Sequence, residues 1–451
     1  MAETPNIVLI MVDDADRKMF GNIPRIRAAL ADQGVMAPMY LLNHPLCAPS
    51  RASVLRGQYE HNTGVLGNVD AYRDFVDNGC EDSNLATWLH AGGYSTALIG
   101  KYLNHYPADA GYPNTWVPPG WDYWFGLFGT AYDSYNYGAN DNGTVVQYGT
   151  DPSDYLTTVL TGKALEFLGS DLADGPFFLL LSTMAPHGPA IPAPEYEDDF
   201  PGVTYPRGAA NPSFNEDDVR DKPWYVSKER KLSSGQIALI DETYRKKLRC
   251  MKSIEDMVDE VIDALGSRLA NTYLIFTSDN GYHMGEHRLG HGGFPGGKNT
   301  PYEEDIALPL WMRGPGITPG TTVNQLIGNV DLAPTICDVA GVTPGIDVDG
   351  RSFLPLVQGT SVPWRTSYLI QRGAGGKSFA GIRSKDNYIF TEFDEPRPGE
   401  VQGEYYNLVS DPYELVNRYN NLPSSTRTAL RNRVTAYRNC AGASCRTADS
   451  S

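Results

Sequence analysis

Hydrophobic positions in this chain fall into short continuous runs and longer helical repeats. The first run, Asn6–Val12, is apolar and β-branched at several positions, which predicts a strand buried on both faces. A helix is predicted next over 22–34, with Asn22 as its cap, Pro24 in the first turn and Gly34 as its stop. The chain therefore begins with a strand that is followed by a helix.

The same alternation recurs further along the chain. Predicted helices cover 84–92 and 234–265, and predicted strands cover 94–99, 176–182 and 272–277. This order predicts an α/β fold with a large, mostly parallel sheet flanked by helices. Two long stretches rich in Gly, Pro, Tyr and Asp, 104–150 and 186–232, are predicted loops that serve a binding site.

The pattern changes after about residue 355. Short strand-like pieces appear at 366–371 and 387–390, and a last helix is predicted over 424–438. We therefore expect a large α/β domain over 1–355. A smaller C-terminal α+β subdomain over 356–451 would hold a small antiparallel sheet and the terminal helix.

Composition and charge restrict the classes of partner. The chain has 451 residues, a net charge of −17 and 41% hydrophobic residues. Its acidity argues against nucleic acid and anionic membranes as partners, because both need a positive face. No apolar run approaches the roughly 18 residues of a membrane span. Since the first residues lack a signal peptide, we expect a cytoplasmic protein, or a secreted or periplasmic one if a leader was removed. The oligomeric state stays open.

Polar side chains gather where the predicted strands end. In such sheets, ligands bind beyond the carboxyl ends of the strands. The two acidic or amide pairs could form an oxygen cage for Ca²⁺ or Mg²⁺, although each pair alone is also typical of a helix cap or turn. The residues at these ends are Asp13, Asp14, Lys101, His187, Asp279 and Asn280.

The segment Cys47-Ala-Pro-Ser-Arg51 resembles the sulfatase signature Cys-x-Pro-Ser-Arg. In that family a separate enzyme oxidises the cysteine to formylglycine. The segment follows the first strand by about 35 residues and begins a predicted helix, as expected for a nucleophile at a helix N-terminus. The resemblance continues in order through Gly100-Lys101, 185–187, 277–281, Lys298 before Tyr302-Glu303, 331–335 and 406–414.

The resemblance implies a sulfuric ester hydrolase and assigns roles to residues of this chain. Asp13, Asp14, Asp279, Asn280 and the modified Cys47 would hold Ca²⁺, with Mg²⁺ as the alternative ion. His187 and Lys298 would hold the sulfate and help to protonate the leaving oxygen, Arg51 would orient the formylglycine, and Lys101 would add positive charge. A formylglycine-generating enzyme would be a partner during maturation. Taken alone, each of these residues also has a common non-functional explanation. A histidine can simply lie in a loop, a lysine can be solvated, and an arginine can lie at the surface.

The implied nucleophile is the hydrated aldehyde at position 47, a geminal diol. One hydroxyl would attack sulfur and expel the alcohol. The other would then lose its proton, so that the sulfated intermediate collapses to aldehyde and inorganic sulfate.

Two histidines are less firmly placed by the resemblance. Many sulfatases have Gly-Lys-x-His, whereas here Leu103 occupies the histidine position and His105 follows two residues later. We expect either that His105 reaches the site from a longer loop or that the elimination base lies elsewhere. His283, just after Asn280, is expected to contact substrate or to be structural.

Cysteines other than Cys47 do not form a disulfide scaffold. Six cysteines in 451 residues are few, and the five that remain cannot all pair. Cys440 and Cys445 flank four small residues, which leaves both a small closed loop and free thiols open.

Three segments resemble the N-acetylglucosamine-6-sulfatase branch, namely 100–104, 117–124 and 279–283. This implies a carbohydrate sulfate, or a small aryl sulfate. The aromatic stretch 112–137 could supply platforms for sugar rings or could be packing. Because a protein at −17 repels polyanions, we expect small sulfated substrates to suit it better than long sulfated chains.

Three other functions compete with this prediction. A phosphonate monoester or phosphodiester hydrolase would use the same cage. An inactive carbohydrate-binding homologue would have lost a ligand or Cys47, and this chain retains both. A calcium-stabilised structural protein would have no use for His187, Lys101 and Lys298 around the ion.

Overall fold

The computed structural model describes residues 4–129, 131–290, 297–373, 378–394, 399 and 401–450. Its strands are β1 Asn6–Val12, β2 Val35–Leu41, β3 Ser95–Gly100, β4 Tyr123–Phe128, β5 Gly138–Asp141, β6 Thr144–Gln147, β7 Phe177–Ser182, β8 Thr272–Ser278, β9 Ala307–Arg313, β10 Thr321–Thr322, β11 Ile327–Gly328, β12 Ser367–Arg372, β13 Phe379–Ser384, β14 Tyr388–Phe393 and β15 Gly403–Asn407.

The α-helices are α1 Arg17–Phe20, α2 Pro24–Ile26, α3 Cys47–Arg56, α4 Glu60–Thr63, α5 Ala71–Asp77, α6 Leu85–Ala91, α7 Leu156–Leu168, α8 Trp224–Ser227, α9 Ser234–Leu265, α10 Glu303–Ile306, α11 Leu332–Ala340, α12 Leu354–Val357, α13 Ser424–Arg438 and α14 Ala443–Ala448. A π-helical turn, Arg27–Ala31, continues α2. Short 3₁₀ turns cover Ala108–Ala110, Ala131–Asp133, Pro152–Asp154, Asp171–Ala173, Pro194–Tyr196, Gly266–Asn271, Asn329–Asp331 and Tyr419–Asn421.

The large sheet has 11 strands in the order β10-β2-β9-β8-β1-β7-β3-β4-β5-β6, with β11 also paired to β2. Its centre, β8-β1-β7-β3-β4, is parallel, whereas β9, β5 and β6 run antiparallel to their neighbours. The predicted α/β class, with a large sheet between helices, is confirmed. Both faces of the sheet are covered, because one hydrophobic core includes α7 and α9 while the other includes α3, α6 and α11.

The central strand β1 is buried at every position, as its continuous apolar run predicts. Alternate residues point to opposite faces, so Val8 and Ile10 join one core while Ile7 and Leu9 join the other. Strand β1 pairs in parallel with β8 from Asn6↔Thr272 to Val12↔Ser278. This register brings the polar residues that follow both strands to one edge of the sheet.

A second sheet, β12-β13-β14-β15, is antiparallel and lies after residue 355. It packs with α13 and α14 in a third core that also includes Tyr302 and Ile306, which precede β9 of the large sheet. The only cysteines that pair among the described residues are Cys440 and Cys445, which close the turn between α13 and α14. Within the described parts of the chain, none of the helices combines the length and apolar character needed to cross a membrane.

The structure corrects two local predictions. The helix expected over 22–34 is only α2 and its π turn. Asn22 does not cap it, because its amide donates to the carbonyl of Lys18 (2.9 Å) and to the hydroxyl of Tyr244 (3.0 Å). The stretch 104–150 is not a plain loop, since it contains β4, β5 and β6. Strand β5 reads Gly-Ala-Asn-Asp and has no apolar run that would reveal it.

Candidate active site

The site lies where β1 and β8 end side by side. Asp13 and Asp14 follow β1, and Asp279 and Asn280 follow β8; none of the four is more than 1% exposed. The backbone N–H of Asp14 donates to Oδ1 of Asp279 (3.2 Å), and Nδ2 of Asn280 donates to Oδ1 of Asp14 (2.6 Å). The four predicted oxygen donors are therefore brought together from opposite ends of the chain.

Cys47 is the first residue of α3 and lies against this cluster. Its Sγ is 3.8 Å from Oδ1 of Asp13, and the residue is 1% exposed. One ligand-type atom from each of Asp13, Asp14, Cys47 and His187 lies within 4.8 Å of the others. Since α3 begins at Cys47, the positive end of its helix dipole lies at the same place, although the N–H of Ala48 already donates to Oδ1 of Asn68 (3.1 Å) and Pro49 has no N–H.

Two lysines bring positive charge to the carboxylates. Lys101, directly after β3, donates from Nζ to Oδ2 of Asp13 (2.5 Å). Lys298 donates to Oδ1 of Asp14, and its Nζ is 2.9 Å from Sγ of Cys47. Lys298 is thus in contact with both the acidic cluster and the thiol.

Arg51, one turn into α3, is almost completely buried and joins α3 to three strands. Its Nε donates to Oδ2 of Asp279 (2.8 Å), and its Nη1 donates to Oγ of Ser182 (2.6 Å) and to the carbonyl of Lys101 (3.2 Å). Its Nη2 is buried and lies 3.7 Å from Oδ2 of Asp13, but it has no hydrogen-bond partner among the described residues. Arg51 therefore holds α3, β3, β7 and β8 together and keeps one donor without a hydrogen bond.

His187 faces the site from the loop after β7. Its Nδ1 is 2.7 Å from the carbonyl of Gly188, so this nitrogen carries the donated proton, and Nε2 is 3.4 Å from Oδ2 of Asp14. The ring also lies beside Tyr132, with 4.5 Å between centroids. A partly exposed imidazole nitrogen is consequently available at the mouth of the site.

The pKa shifts show how closely charge is balanced in the cluster. Burial opposes the ionisation of Asp13 and Asp14, but Lys101 and Lys298 hold the pKa of each carboxyl below its ordinary value. Burial, with Asp13 beside it, raises the pKa of Asp279. Burial also raises the pKa of the Cys47 thiol, against the influence of the two lysines. An unmodified Cys47 is therefore not an activated thiolate.

The donor set suits a hard divalent cation. Three carboxylates and one amide converge, and Oδ1 of Asn280 is buried with no hydrogen-bond partner within the described residues. Carboxylate and amide oxygens are the preferred ligands of Ca²⁺ and Mg²⁺. A bound cation would give Oδ1 of Asn280 its missing partner and would favour ionised Asp279.

His105 and His283 differ in how they relate to this site. His105 is exposed and lines a small cavity together with Lys101, Asn104 and Tyr132, so it lies at the approach to the site. His283 is completely buried, and its Nε2 is 2.9 Å from Oγ1 of Thr300. These contacts favour the structural alternative for His283, whereas contact with substrate stays a prediction.

Three contacts at the site involve residues that the motifs do not include. Lys247 of α9 donates to the backbone carbonyl of Asp14 (2.8 Å). A lysine on the apolar, buried face of α9 could have been noticed in the sequence as a buried charge that needs a partner. Tyr132 lies beside Lys101, whose Nζ is 5.6 Å from the ring centroid, and Ser182 accepts from Arg51. No sequence pattern distinguishes these last two.

Comparisons with known proteins agree with the geometry. The family model described as Sulfatase matches residues 5–342, and the model described as N-sulphoglucosamine sulphohydrolase, C-terminal, matches residues 290–439. The N-acetylglucosamine-6-sulfatase of Capra hircus is 33% identical, over 98% of this chain and 85% of its own length.

Solved structures share the fold at low sequence identity. One, in complex with its substrate D-glucosamine-2-N,6-O-disulfate, has a TM-score of 0.76 at 22% identity and covers 96% of this chain and 97% of its own. The phosphonate monoester hydrolase of Agrobacterium radiobacter has a TM-score of 0.73 at 18% identity. The match covers 96% of this chain and 95% of that protein's chain. The fold by itself therefore does not separate sulfate esters from phosphonate esters.

Proposed function

Because this chain belongs to the sulfatase family and is a sulfuric ester hydrolase, we propose that it releases inorganic sulfate from a small sulfated carbohydrate with formylglycine, made from Cys47, as its nucleophile. The observation that carries the proposal is the position of Cys47. Its Sγ lies 3.8 Å from Asp13 and 2.9 Å from the ammonium of Lys298, at the N-terminus of α3.

Asp13, Asp14, Asp279 and Asn280 would hold a divalent cation, Ca²⁺ by preference and Mg²⁺ as the alternative. When bound, the cation would neutralise charge on a sulfate oxygen, and the hydrated aldehyde at position 47 would supply the attacking hydroxyl. A formylglycine-generating enzyme would have to act on Cys47 during maturation.

The cationic side chains of this site resolve the conflict between an anionic substrate and a protein of charge −17. Lys101, Lys298 and Arg51 all contact the cluster directly, and Lys247 lies behind Asp14. Together with a divalent cation they outnumber the three carboxylates, so the local field attracts an anion. Because these groups are held in place before binding, they stabilise charge that develops on the sulfate oxygens without reorganisation.

Proton transfer to the leaving alcohol is assigned to His187 and Lys298. His187 is fixed through Nδ1 to Gly188, which leaves Nε2 to exchange a proton at the mouth of the site. His105, at the cavity next to Lys101, is our candidate for the base that removes a proton from the second hydroxyl of the nucleophile. The free Nη2 of Arg51 would orient the modified side chain.

The substrate class follows from the relatives and from charge. The Capra hircus relative is named an N-acetylglucosamine-6-sulfatase, and this supports an N-acetylglucosamine-6-sulfate-like sugar, with a small aryl sulfate as the artificial substrate. The aromatic rings near the cavity do not all serve sugars. Tyr106, Trp124 and Tyr102 are buried and pack edge to face on one another, whereas Tyr132 is partly exposed at the cavity.

Paired assays with matched aryl sulfate, phosphate and phosphonate esters test the proposal. We expect a kcat/KM for the sulfate ester well above those for both phosphorus esters, and a phosphonate preference would reassign the enzyme. Peptide mass spectrometry over 44–56 should find Cys47 converted from a thiol to an aldehyde. Activity in protein whose Cys47 is entirely a thiol would contradict the proposed nucleophile.

A further inference from the structure

A second group of ligand-type side chains lies buried between the large domain and the C-terminal subdomain. It consists of His287 from the loop after β8, Glu304 of α10 and Glu414 from the segment after β15, and we refer to it as the His287 cluster. One ligand atom from each of the three lies within 4.8 Å of the others. His287 is 0% exposed and Glu414 is 1% exposed. None of these residues contacts the carboxylates of the candidate active site through any described hydrogen bond or ion pair.

His287 is held as a metal-binding histidine usually is. Its Nδ1 is 2.7 Å from Oε2 of Glu216, and in the tautomer whose Nδ1–H donates to this oxygen the lone pair of Nε2 is left free. A carboxylate behind the imidazole fixes the tautomer and increases the basicity of the coordinating nitrogen. Burial lowers the pKa of His287 to about 3, so the ring is neutral, as a ligand must be.

The two glutamates are each anchored through one oxygen and open through the other. Oε1 of Glu304 accepts from Oγ of Ser213 (3.3 Å), and Oε2 of Glu414 accepts from the backbone N–H of Glu303 (2.9 Å). Among the described residues, Nε2 of His287, Oε2 of Glu304 and Oε1 of Glu414 are all buried without a hydrogen-bond partner. Nε2 and Oε2 are 3.9 Å apart, which is too far for a hydrogen bond between them.

The neighbouring ammonium of Lys222 does not satisfy these atoms. Lys222 is fully buried, but its ammonium donates to the backbone carbonyl of Glu414 and to the hydroxyl of Tyr406 (3.1 Å), and it lies 3.8 Å from Oε1 of Glu216. Burial and the neighbouring Glu304 raise the pKa of Glu414 well above its ordinary value. The two glutamates of this cluster can therefore be accommodated only if one of them binds a proton or if both bind a cation.

We propose that the His287 cluster binds a divalent transition-metal ion of the Zn²⁺ class, distinct from the oxygen cage of the active site. One imidazole and two carboxylates form a ligand set that suits such an ion better than Ca²⁺, which prefers oxygen alone. Metal–ligand bonds of about 2.0–2.2 Å would draw the three atoms slightly inward. Because Glu414 comes from the C-terminal subdomain and the other two ligands come from the large domain, the ion would fasten the two together.

Zinc titration of the whole protein in excess Ca²⁺ tests this proposal, because Ca²⁺ then fills the oxygen cage. Equilibrium dialysis with elemental analysis should find one Zn²⁺ per chain in wild-type protein and none in His287→Gln. Zn²⁺ should also raise the Tm of the wild type but not that of His287→Gln. The matched control is His90→Gln, which removes an exposed imidazole of α6 that is paired with Asp122 and should bind zinc as the wild type does.

X-ray absorption at the zinc edge tests the proposal independently of His287→Gln, and so also applies if that variant does not fold. With His187→Gln as the sample, so that the active-site imidazole is absent, the bound zinc should show one imidazole nitrogen and carboxylate oxygens. Three results would overturn the proposal: no zinc bound by the wild type in excess Ca²⁺, equal zinc bound by wild type and His287→Gln, or zinc with oxygen neighbours only. The first of these would mean that protons alone satisfy the cluster.

Discussion

Arg51 donates from Nε to Oδ2 of Asp279 across 2.8 Å, and the two residues are 228 positions apart in the chain. Both are almost completely buried. This ion pair links the helix that begins at Cys47 to the strand end that carries two of the four oxygen donors. The position of Cys47 relative to the four oxygen donors is therefore fixed by a buried contact and not by a loop.

Replacing Arg51 by Met should destabilise the fold strongly. Removing one member of a buried pair leaves Asp279 uncompensated, and we expect a loss of about 3 kcal/mol or more in the free energy of unfolding. Arg438→Met is the matched control, because its pair with Asp394 is partly exposed to solvent and should contribute less than about 1 kcal/mol. Urea unfolding of both variants measures this, and equal losses would show that Arg51 is not a structural link.

Lys247→Met should weaken cation binding, although Lys247 itself is not expected to contact the substrate. Lys247 donates to the carbonyl of Asp14, a residue in the left-handed region with φ of 61°. Loss of this outer support should lower Ca²⁺ affinity about 10- to 100-fold, as is usual when the partners of metal ligands are removed. Calorimetric Ca²⁺ titration checks this. Lys246→Met, the neighbouring lysine outside the buried face of α9, should bind Ca²⁺ normally.

The strands and helices of the centre could be predicted, because their apolar runs and repeats are long. Strands β1 and β8 and helix α9 match the predicted ranges to within a residue. Strands β5 and β6 could not, because β5 is buried but short and without an apolar run, and β6 is a short, mostly exposed edge strand that pairs with β5.

The site was predictable where residues follow parallel strands, since those ends must meet at one edge. The four oxygen donors and Lys101 are of this kind. The depth of His283 was not predictable, because the residue follows the same strand as Asn280 and only the packing of Thr300 and Tyr302 over it makes it inaccessible. Nor does any motif connect His287 to Glu414, which are far apart in the chain and meet only through packing.

Stability should fall as the pH rises from about 7 to 9.5. Although burial opposes protonation of His283, Asp305 and the neighbouring glutamates raise its pKa from 6.5 to about 9. A raised pKa means that the folded state binds the proton more tightly. The stabilisation is therefore complete below pH 6.5 and is lost as the pH passes through about 9, amounting to at most about 3 kcal/mol.

Unfolding free energies of wild type and His283→Gln across this range test the assignment. Glu216, with a pKa raised by burial to about 8, contributes with the same sign, so some decline should persist in the variant. The wild-type curve should nevertheless be the steeper one. Identical slopes would show that His283 is neutral in the folded protein.

The kcat/KM should depend on substrate length, because the net charge of the protein repels long anionic chains. A protein at −17 repels long sulfated chains, and this repulsion is screened beyond about 8 Å at physiological ionic strength. We expect kcat/KM per sulfate group to be higher for a monosulfated sugar than for a heparin-like polymer. Added salt should narrow the difference. Faster cleavage of the intact polymer at low salt would contradict this account of specificity.

Cys47→Ala tests the central claim most directly, with sulfate release measured in protein produced together with a formylglycine-generating enzyme. We expect turnover of a small sulfate ester to be abolished, while the Tm and the Ca²⁺ affinity stay close to those of the wild type, because Asp13, Asp14, Asp279 and Asn280 remain. Sulfate release by Cys47→Ala at a rate near that of the wild type would contradict the assignment of this side chain as the nucleophile.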